Sequence, residues 1–168
     1  LLGENYFLRA ICHLNLSCLF SRQYSHGREN PGVVLRTSTD CSVTERATVG
    51  EVYDQIVKDL QKAAELMKNG SRRGDAGYIS YETALALLSR VYLYMGENDK
   101  VLEITNQLLG SDPSKNLDPD LRNIFVNARN SKETLWCVAH TAVETQERSS
   151  IGSMYYSPNG TGGIGWAE

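Results

Sequence analysis

The sequence predicts a mainly α-helical fold, built of antiparallel helical hairpins joined by long loops and carrying little strand. Three observations lead there. Segments at 1–20, 48–69, 80–96 and 97–110 repeat apolar residues at helical spacing. Residues 84–113 read as two short helices that fold back on each other at Gly96. Only residues 33–35 and 134–138 are rich enough in extended-chain formers to suggest strand.

The totals set bounds. A chain of 168 residues is long enough for one domain with a real core, or for one piece of a larger domain. Its 41% hydrophobic and 22% charged residues suit a soluble globular protein. A formal net charge of −3 gives no electrostatic reason to expect nucleic acid, and no Lys/Arg run points to an anionic membrane surface. No apolar run approaches the roughly 20 residues that cross a bilayer. The chain opens at Leu1 with no Met, basic region or cleavage site, already inside a helical pattern, so it is expected to be a fragment of a longer protein whose compartment cannot be read from it. Cys12, Cys18, Cys41 and Cys137 show no CxxC spacing. Cys12 and Cys18 lie on one predicted helix pointing in different directions, so all four are expected to be small core residues rather than disulfide partners or metal ligands.

Taken in order, residues 1–20 carry a stripe of Phe7, Ala10, Ile11, Leu14 and Cys18, with Leu8, Cys12 and Leu19 forming a second stripe beside it. A helix apolar over two faces is expected to be covered by two neighbours. Residues 21–47 turn polar, with a Pro31-Gly32 turn signal and a brief extended run at 33–35, and read as a long surface connection. His26 has no Cys, Asp or second His at metal spacing and is expected to be a solvated loop residue.

Thr48 and Glu51 form a capping box that starts the clearest helix. Val49, Val52, Tyr53, Ile56, Leu60, Ala63, Ala64 and Met67 then fall within about a 120° arc, opposite Asp54, Lys58, Gln61, Lys62, Glu65 and Lys68. Asn69-Gly70 ends it. Ser80 is the expected cap of the next helix, in which Leu85, Leu88, Ser89 and Tyr92 form one face and Ala84, Leu87, Val91 and Tyr94 another, as suits the inner position of a stack. Gly96 supplies the left-handed turn, and Val101, Ile104, Thr105 and Leu108 are the inner stripe of the helix that follows, stopped by Gly110 and Pro113. Residues 119–125 suggest one short helix, and Trp136 sits in a strand-like run as an expected core residue. After His140 the chain is polar, then rich in Gly and Tyr, and reads as loop.

The 34-residue tetratricopeptide pattern can be laid on residues 82–115. Its large positions fall on Leu85 and Leu88, its small position on Ser89, its tyrosine on Tyr92, its turn glycine on Gly96 and its closing proline on Pro113; Val101 and Thr105 depart from it. The expected architecture is therefore a run of tetratricopeptide-like antiparallel hairpins, an α–α superhelix.

The order of segments is more specific. GENYFLRA at 3–10 is followed by PGVVL at 31–35, RATV at 46–49, EVYDQIVKDL at 51–60, the 84–96 helix ending RVYLYMG, Ile124-Phe125, and NSKE at 130–133. This series resembles the SusD/RagB family, surface nutrient-binding lipoproteins of Bacteroidetes glycan-uptake systems. The resemblance spans nearly the whole chain, most strongly residues 3–133. It implies a non-catalytic, cofactor-free protein at the cell surface that holds oligosaccharide over a SusC-like TonB-dependent outer-membrane transporter. Family members are longer, so residues 1–140 would be the tetratricopeptide-like portion and 141–168 a loop-rich segment leading into further sequence. The lipid anchor would lie N-terminal to Leu1. One departure is Val34, where the family commonly has Pro before the Leu.

Sugars bind by stacking C–H faces on aromatic rings while amide and carboxylate groups satisfy their hydroxyls, so a site needs aromatics beside polar groups on loops. Tyr155, Tyr156, Asn159 and Trp166 fit that description and are the candidate glycan-binding residues; the alternative is that they pack as core under further chain. Catalytic signals are weak. A GxGxxG at 160–165 lacks the preceding strand and following helix that dinucleotide binding needs. His13, His26 and His140 have no nucleophile or acid around them in sequence. Three functions stay open, in this order: a glycan-binding surface component, a helical-repeat scaffold for a protein or peptide, and an enzyme whose site straddles further sequence.

Overall fold

The structure is a computed structural model describing residues 1–39, 45–70, 76–112, 114, 116–127 and 130–138. The chain divides into two compact units, Leu1–Cys137 and Val138–Glu168, and the elements below all belong to the first. They are α1 (Leu2–Phe20), a single 3-10 turn (Tyr24–His26), β1 (Pro31–Val34), β2 (Arg46–Thr48), α2 (Val49–Met67), α3 (Tyr81–Met95), α4 (Asn98–Leu109) and α5 (Leu121–Val126).

Helices α1 to α4 pack each against the next. Close approaches fix the directions of α1 and α2. A Cβ on Gly3 would meet Met67 Cγ at 2.7 Å and the Ala63 carbonyl at 3.2 Å, while Arg9 pairs with Asp59 and Cys18 borders the same cavity as Tyr53. Rising numbers on α1 therefore meet falling numbers on α2, and the helices are antiparallel. Only a glycine lets the start of α1 lie so close to the end of α2. In the same way Tyr92 meets Lys100 and Tyr81 meets Gln107, which makes α3 and α4 an antiparallel hairpin. Gly96 turns it with φ 79°, its N–H donating to Leu93 and Tyr92 carbonyls, so the tetratricopeptide-like hairpin is present where the spacing puts it. Pro113 lies outside the described residues.

The core gathers along the faces that the helical spacing selects. Phe7, Val52, Ile56, Leu60 and Val91 are fully buried, each worth about 1.5–3 kcal/mol of burial. Both capping boxes form. Glu51 N–H donates to Thr48 Oγ1 at 3.2 Å and Thr48 N–H to Glu51 Oε2 at 2.8 Å. Thr83 N–H donates to Ser80 Oγ at 3.3 Å and Ser80 N–H to Thr83 Oγ1 at 3.3 Å. The 21–47 connection carries more order than its composition suggests. β1 pairs antiparallel with β2, Pro31 opposite Thr48 and Val34 opposite Arg46, and Arg46 Nε donates to the Gly32 carbonyl at 2.7 Å. His26 is exposed, as a solvated loop residue should be.

Four expectations are corrected. Cys12 and Cys18 are exposed rather than core, because α1 buries only the face of Phe7, Ala10, His13, Leu14 and Ser17. The second stripe is likewise uncovered among the described residues, with Leu8 43% and Leu19 74% exposed. Tyr94 is 45% exposed and its neighbour Leu93 56%, so the buried face of α3 ends at Tyr92. Residues 134–138 form no strand; among the described residues Cys137 N–H donates to the Ala76 carbonyl at 2.9 Å and the Leu135 carbonyl accepts from Thr83 Oγ1 at 3.2 Å, which do not make a ladder. Trp136 is half-buried and meets Phe7 edge to face at 5.5 Å, so it does pack on the core. Cys41 and His140 lie outside the described residues.

The NSKE segment finds a mechanical explanation. Ser131 Oγ–H and Asn123 Nδ2–H both donate to the Asp118 carboxylate, and Glu133 Oε1 accepts from Asp118 N–H at 2.9 Å. The Ser131 bond, with Asn123 behind it, holds the Asp118 carboxyl below the usual range. This cluster ties the start of α5 to the chain that runs on to Trp136.

Candidate functional site

Tyr155, Tyr156, Asn159 and Trp166, the candidate glycan-binding residues, lie outside the described residues. Within them, two concave regions flank the α1–α2 pair.

The first is a cavity of about 410 Å³ at the C-terminal end of α1, bordered by α2 and the last turn of α3. Its walls come from a specific local fold. Ser21 ends α1 with an extended backbone, and its hydroxyl donates to the Ser17 carbonyl at 2.7 Å while sharing a bond with Ser17 Oγ at 2.8 Å. The 3-10 turn that follows ends at Gly27, with φ 123°, and Asn30 Nδ2 donates to the His26 and Gly27 carbonyls at 2.9 and 3.0 Å. That turn lays Tyr24 against Tyr53, ring centroids 4.9 Å apart. Arg28, paired with Asp54 at 2.7 Å, caps the Tyr24 ring at 5.7 Å. Tyr94 closes the third side.

Tyr53 is the unusual member. It is only 4% exposed, it lines the cavity, and its hydroxyl has no hydrogen-bond partner among the described residues. Burial first, then the neighbouring Cys18 and tyrosines, push its phenol up to about 12, so near neutral pH it is an O–H able both to donate and to accept. Among the described residues the cavity's lining side chains are serines, tyrosines, Cys18, Arg22 and Gln23.

The second region is an open groove beside Arg9 and Asp59. Asp59 is 2% exposed on the inner face of α2. Arg9 Nε and Nη2 donate to its two oxygens at 2.7 and 2.6 Å, Gln55 Nε2 donates to Oδ1 at 2.8 Å, and Arg9 Nη1 reaches the Thr37 carbonyl at 3.1 Å. The bond to Asp59 raises the Arg9 pKa above its ordinary value. These charges satisfy one another, so the pair locks α1 to α2 and to the chain near Thr37 rather than offering itself to a ligand. His13 does similar work. Its Nε2 accepts from Arg36 N–H at 3.2 Å, its Nδ1 is occluded without a partner, and burial lowers its pKa.

Sequence reasoning missed most of this. Tyr53 and Tyr94 were legible only as members of apolar stripes, and Ser17, Ser21 and Tyr24 only as helix and loop. Asp59 and Arg9 did leave a signal: Asp59 falls between Ile56 and Leu60 on the buried side of α2, and Arg9 is the only cation within α1. A lone buried acid calls for a lone base nearby. Among the described residues no group of three His, Cys, Asp or Glu could hold a metal ion, and no helix is long and apolar enough to cross a membrane.

Comparison with known proteins places this arrangement. Residues 1–93 match the SusD-like family described as "Starch-binding associating with outer membrane". No curated protein matches the chain. Among solved structures, a SusD superfamily protein from Bacteroides vulgatus is similar at 27% identity and a TM-score of 0.77, over 90% of this chain and 36% of its own. One from Bacteroides thetaiotaomicron is similar at 28% identity and a TM-score of 0.71, over 84% and 31%. A SusD-like carbohydrate binding protein from Bacteroides vulgatus is similar at 25% identity and a TM-score of 0.73, over 85% and 31%. The chain thus spans about a third of the length of these structural relatives. The family match takes in α1, both strands, α2 and nearly all of α3, the packed centre of the unit, and the chain belongs to the SusD-like family.

Proposed function

We propose that residues 1–168 are part of a non-catalytic, glycan-binding protein of the outer-membrane surface, which passes oligosaccharide to a SusC-like TonB-dependent transporter. The observation that carries this reading is the match of residues 1–93 to a family described as starch-binding and associated with the outer membrane. The carbohydrate binding protein among the similar structures supports the ligand class. In this reading residues 1–140 form the tetratricopeptide-like scaffold and 141–168 a loop-rich segment leading into further sequence, with a lipid anchor N-terminal to Leu1. Tyr155, Tyr156 and Trp166 offer ring faces and Asn159 an amide to the glycan, and no cofactor is needed.

Calorimetric titration of the full-length protein with a panel of oligosaccharides tests this. Binding without hydrolysis is expected, weakened by Tyr155→Ala, Tyr156→Ala, Asn159→Ala or Trp166→Ala. Unchanged affinity in all four variants would remove those residues as the site, and release of reducing ends would overturn the non-catalytic reading. Co-purification of a TonB-dependent transporter from solubilised outer membranes checks the partner; its absence from the purified material would refute delivery by this route.

A further inference from the structure

The cavity between α1, α2 and α3 has the makings of a second binding place. It is about 410 Å³, within the range of roughly 300–1,000 Å³ typical of small-molecule sites. Tyr53 is only 4% exposed, yet its hydroxyl has no protein partner among the described residues. Among the described residues, the only side-chain polar atom both fully occluded and without a partner is His13 Nδ1, so the Tyr53 oxygen is not sealed off. Beside it stand the paired hydroxyls of Ser17 and Ser21 and the exposed ring of Tyr94. Hydroxyls deep in the wall and a ring at its rim complement one sugar ring, polar at its edge and apolar on its face.

Charge narrows the ligand further. Arg22 lines the cavity, is exposed, and makes no salt bridge among the described residues. Among the described residues no acidic side chain lines the cavity, although the chain as a whole carries a net charge of −3. An unpaired guanidinium in a wall without carboxylates favours a ligand that brings its own, since Arg pairs a planar carboxylate through two parallel bonds.

We infer that this cavity is a subsite for a single sugar unit carrying a carboxylate, a hexuronate. Tyr94 stacks on the sugar face, Tyr53 and Ser21 bond its hydroxyls, and Arg22 pairs with its carboxylate. The inference rests on the glycan-binding reading and deepens it by naming a sugar class and a set of residues other than Tyr155, Tyr156, Asn159 and Trp166.

Cys18 supplies a reporter, being exposed and part of the cavity wall, while Cys12 is exposed on the same helix outside it. In the full-length protein, alkylation by iodoacetamide is followed residue by residue in glucuronate, galacturonate, glucose or galactose. Either uronate is expected to slow labelling of Cys18 several-fold and leave Cys12 unchanged, with the neutral sugars having little effect. Tyr53→Phe, which removes only the unpartnered hydroxyl, and Arg22→Ala are each expected to weaken uronate binding about tenfold without lowering the melting temperature. Equal protection by neutral and acidic sugars, or no loss in either variant, would overturn the assignment. If oligosaccharides bind and the tail variants abolish binding while no sugar protects Cys18, the subsite falls and the glycan reading stands. If no saccharide binds anywhere on the wild-type protein, both fall.

Discussion

Replacing Asp59 with alanine separates a structural ion pair from a decorative one. Asp59 and Arg9 meet at 2.6 Å with side-chain exposures of 2% and 29%, and Arg28 and Asp54 meet at 2.7 Å with exposures of 56% and 58%. The separations are nearly equal, so any difference in effect comes from burial. Breaking a buried pair costs about 3–5 kcal/mol, because the surviving charge is left without a partner. Arg9 keeps some access to water and can recover part of its hydration, which sets the expectation for Asp59→Ala near the lower end, about 3 kcal/mol. Asp54→Ala should cost about 0–1 kcal/mol, and less in high salt. Urea unfolding of the full-length protein reads both through the midpoint, with the slope checked for constancy. The double variant Arg9→Met, Asp59→Leu, which removes both charges and keeps apolar volume, should regain most of the loss. Equal costs for Asp59→Ala and Asp54→Ala, or a double variant no better than the single, would refute the reasoning.

Three further outcomes follow from the same geometry. Gly96→Ala should destabilise by about 1–2 kcal/mol through its left-handed backbone alone, since φ is 79° and no atom lies within 4 Å of the new Cβ; a neutral result in thermal unfolding would contradict that. Ser80→Ala should cost about 1 kcal/mol by removing the cap that receives Thr83 N–H, with a larger loss of amide-exchange protection at Thr83 than in the middle of α3. His13 is buried with a lowered pKa, so below about pH 6.5 the unfolded chain binds a proton that the folded one resists. Its contribution is present above that pH and is lost as pH falls towards the folded value. His13→Gln should flatten the drop in urea midpoint between pH 7 and 5, and an unchanged slope would exclude His13 as its source.

Much of the scaffold was legible because its signals are local. The capping boxes at Thr48 and Ser80 and the turn at Gly96 depend on residues within a few positions of one another, and hydrogen-bond geometry leaves them few alternatives. The inner face of α2 was readable for a related reason: one arc of apolar residues has one way to be buried. Three of the four errors arose where a helix offered two faces. α1 presents comparable apolar stripes, and periodicity ranks neither, so Cys12 and Cys18 were assigned to a core that only the placement of α2 could define.

By itself, then, the sequence determined the helices, where they begin and end, the hairpin at Gly96 and the family, since caps, periodicity and segment order are all written along the chain. Tertiary structure alone decided which face of α1 is covered, that Arg9 reaches Asp59 fifty positions away, and that Tyr24, Tyr53 and Tyr94 converge on one cavity beside Arg22. Those facts depend on distances between residues remote in sequence, and a packing choice made once, α2 against a single face of α1, sets them all together.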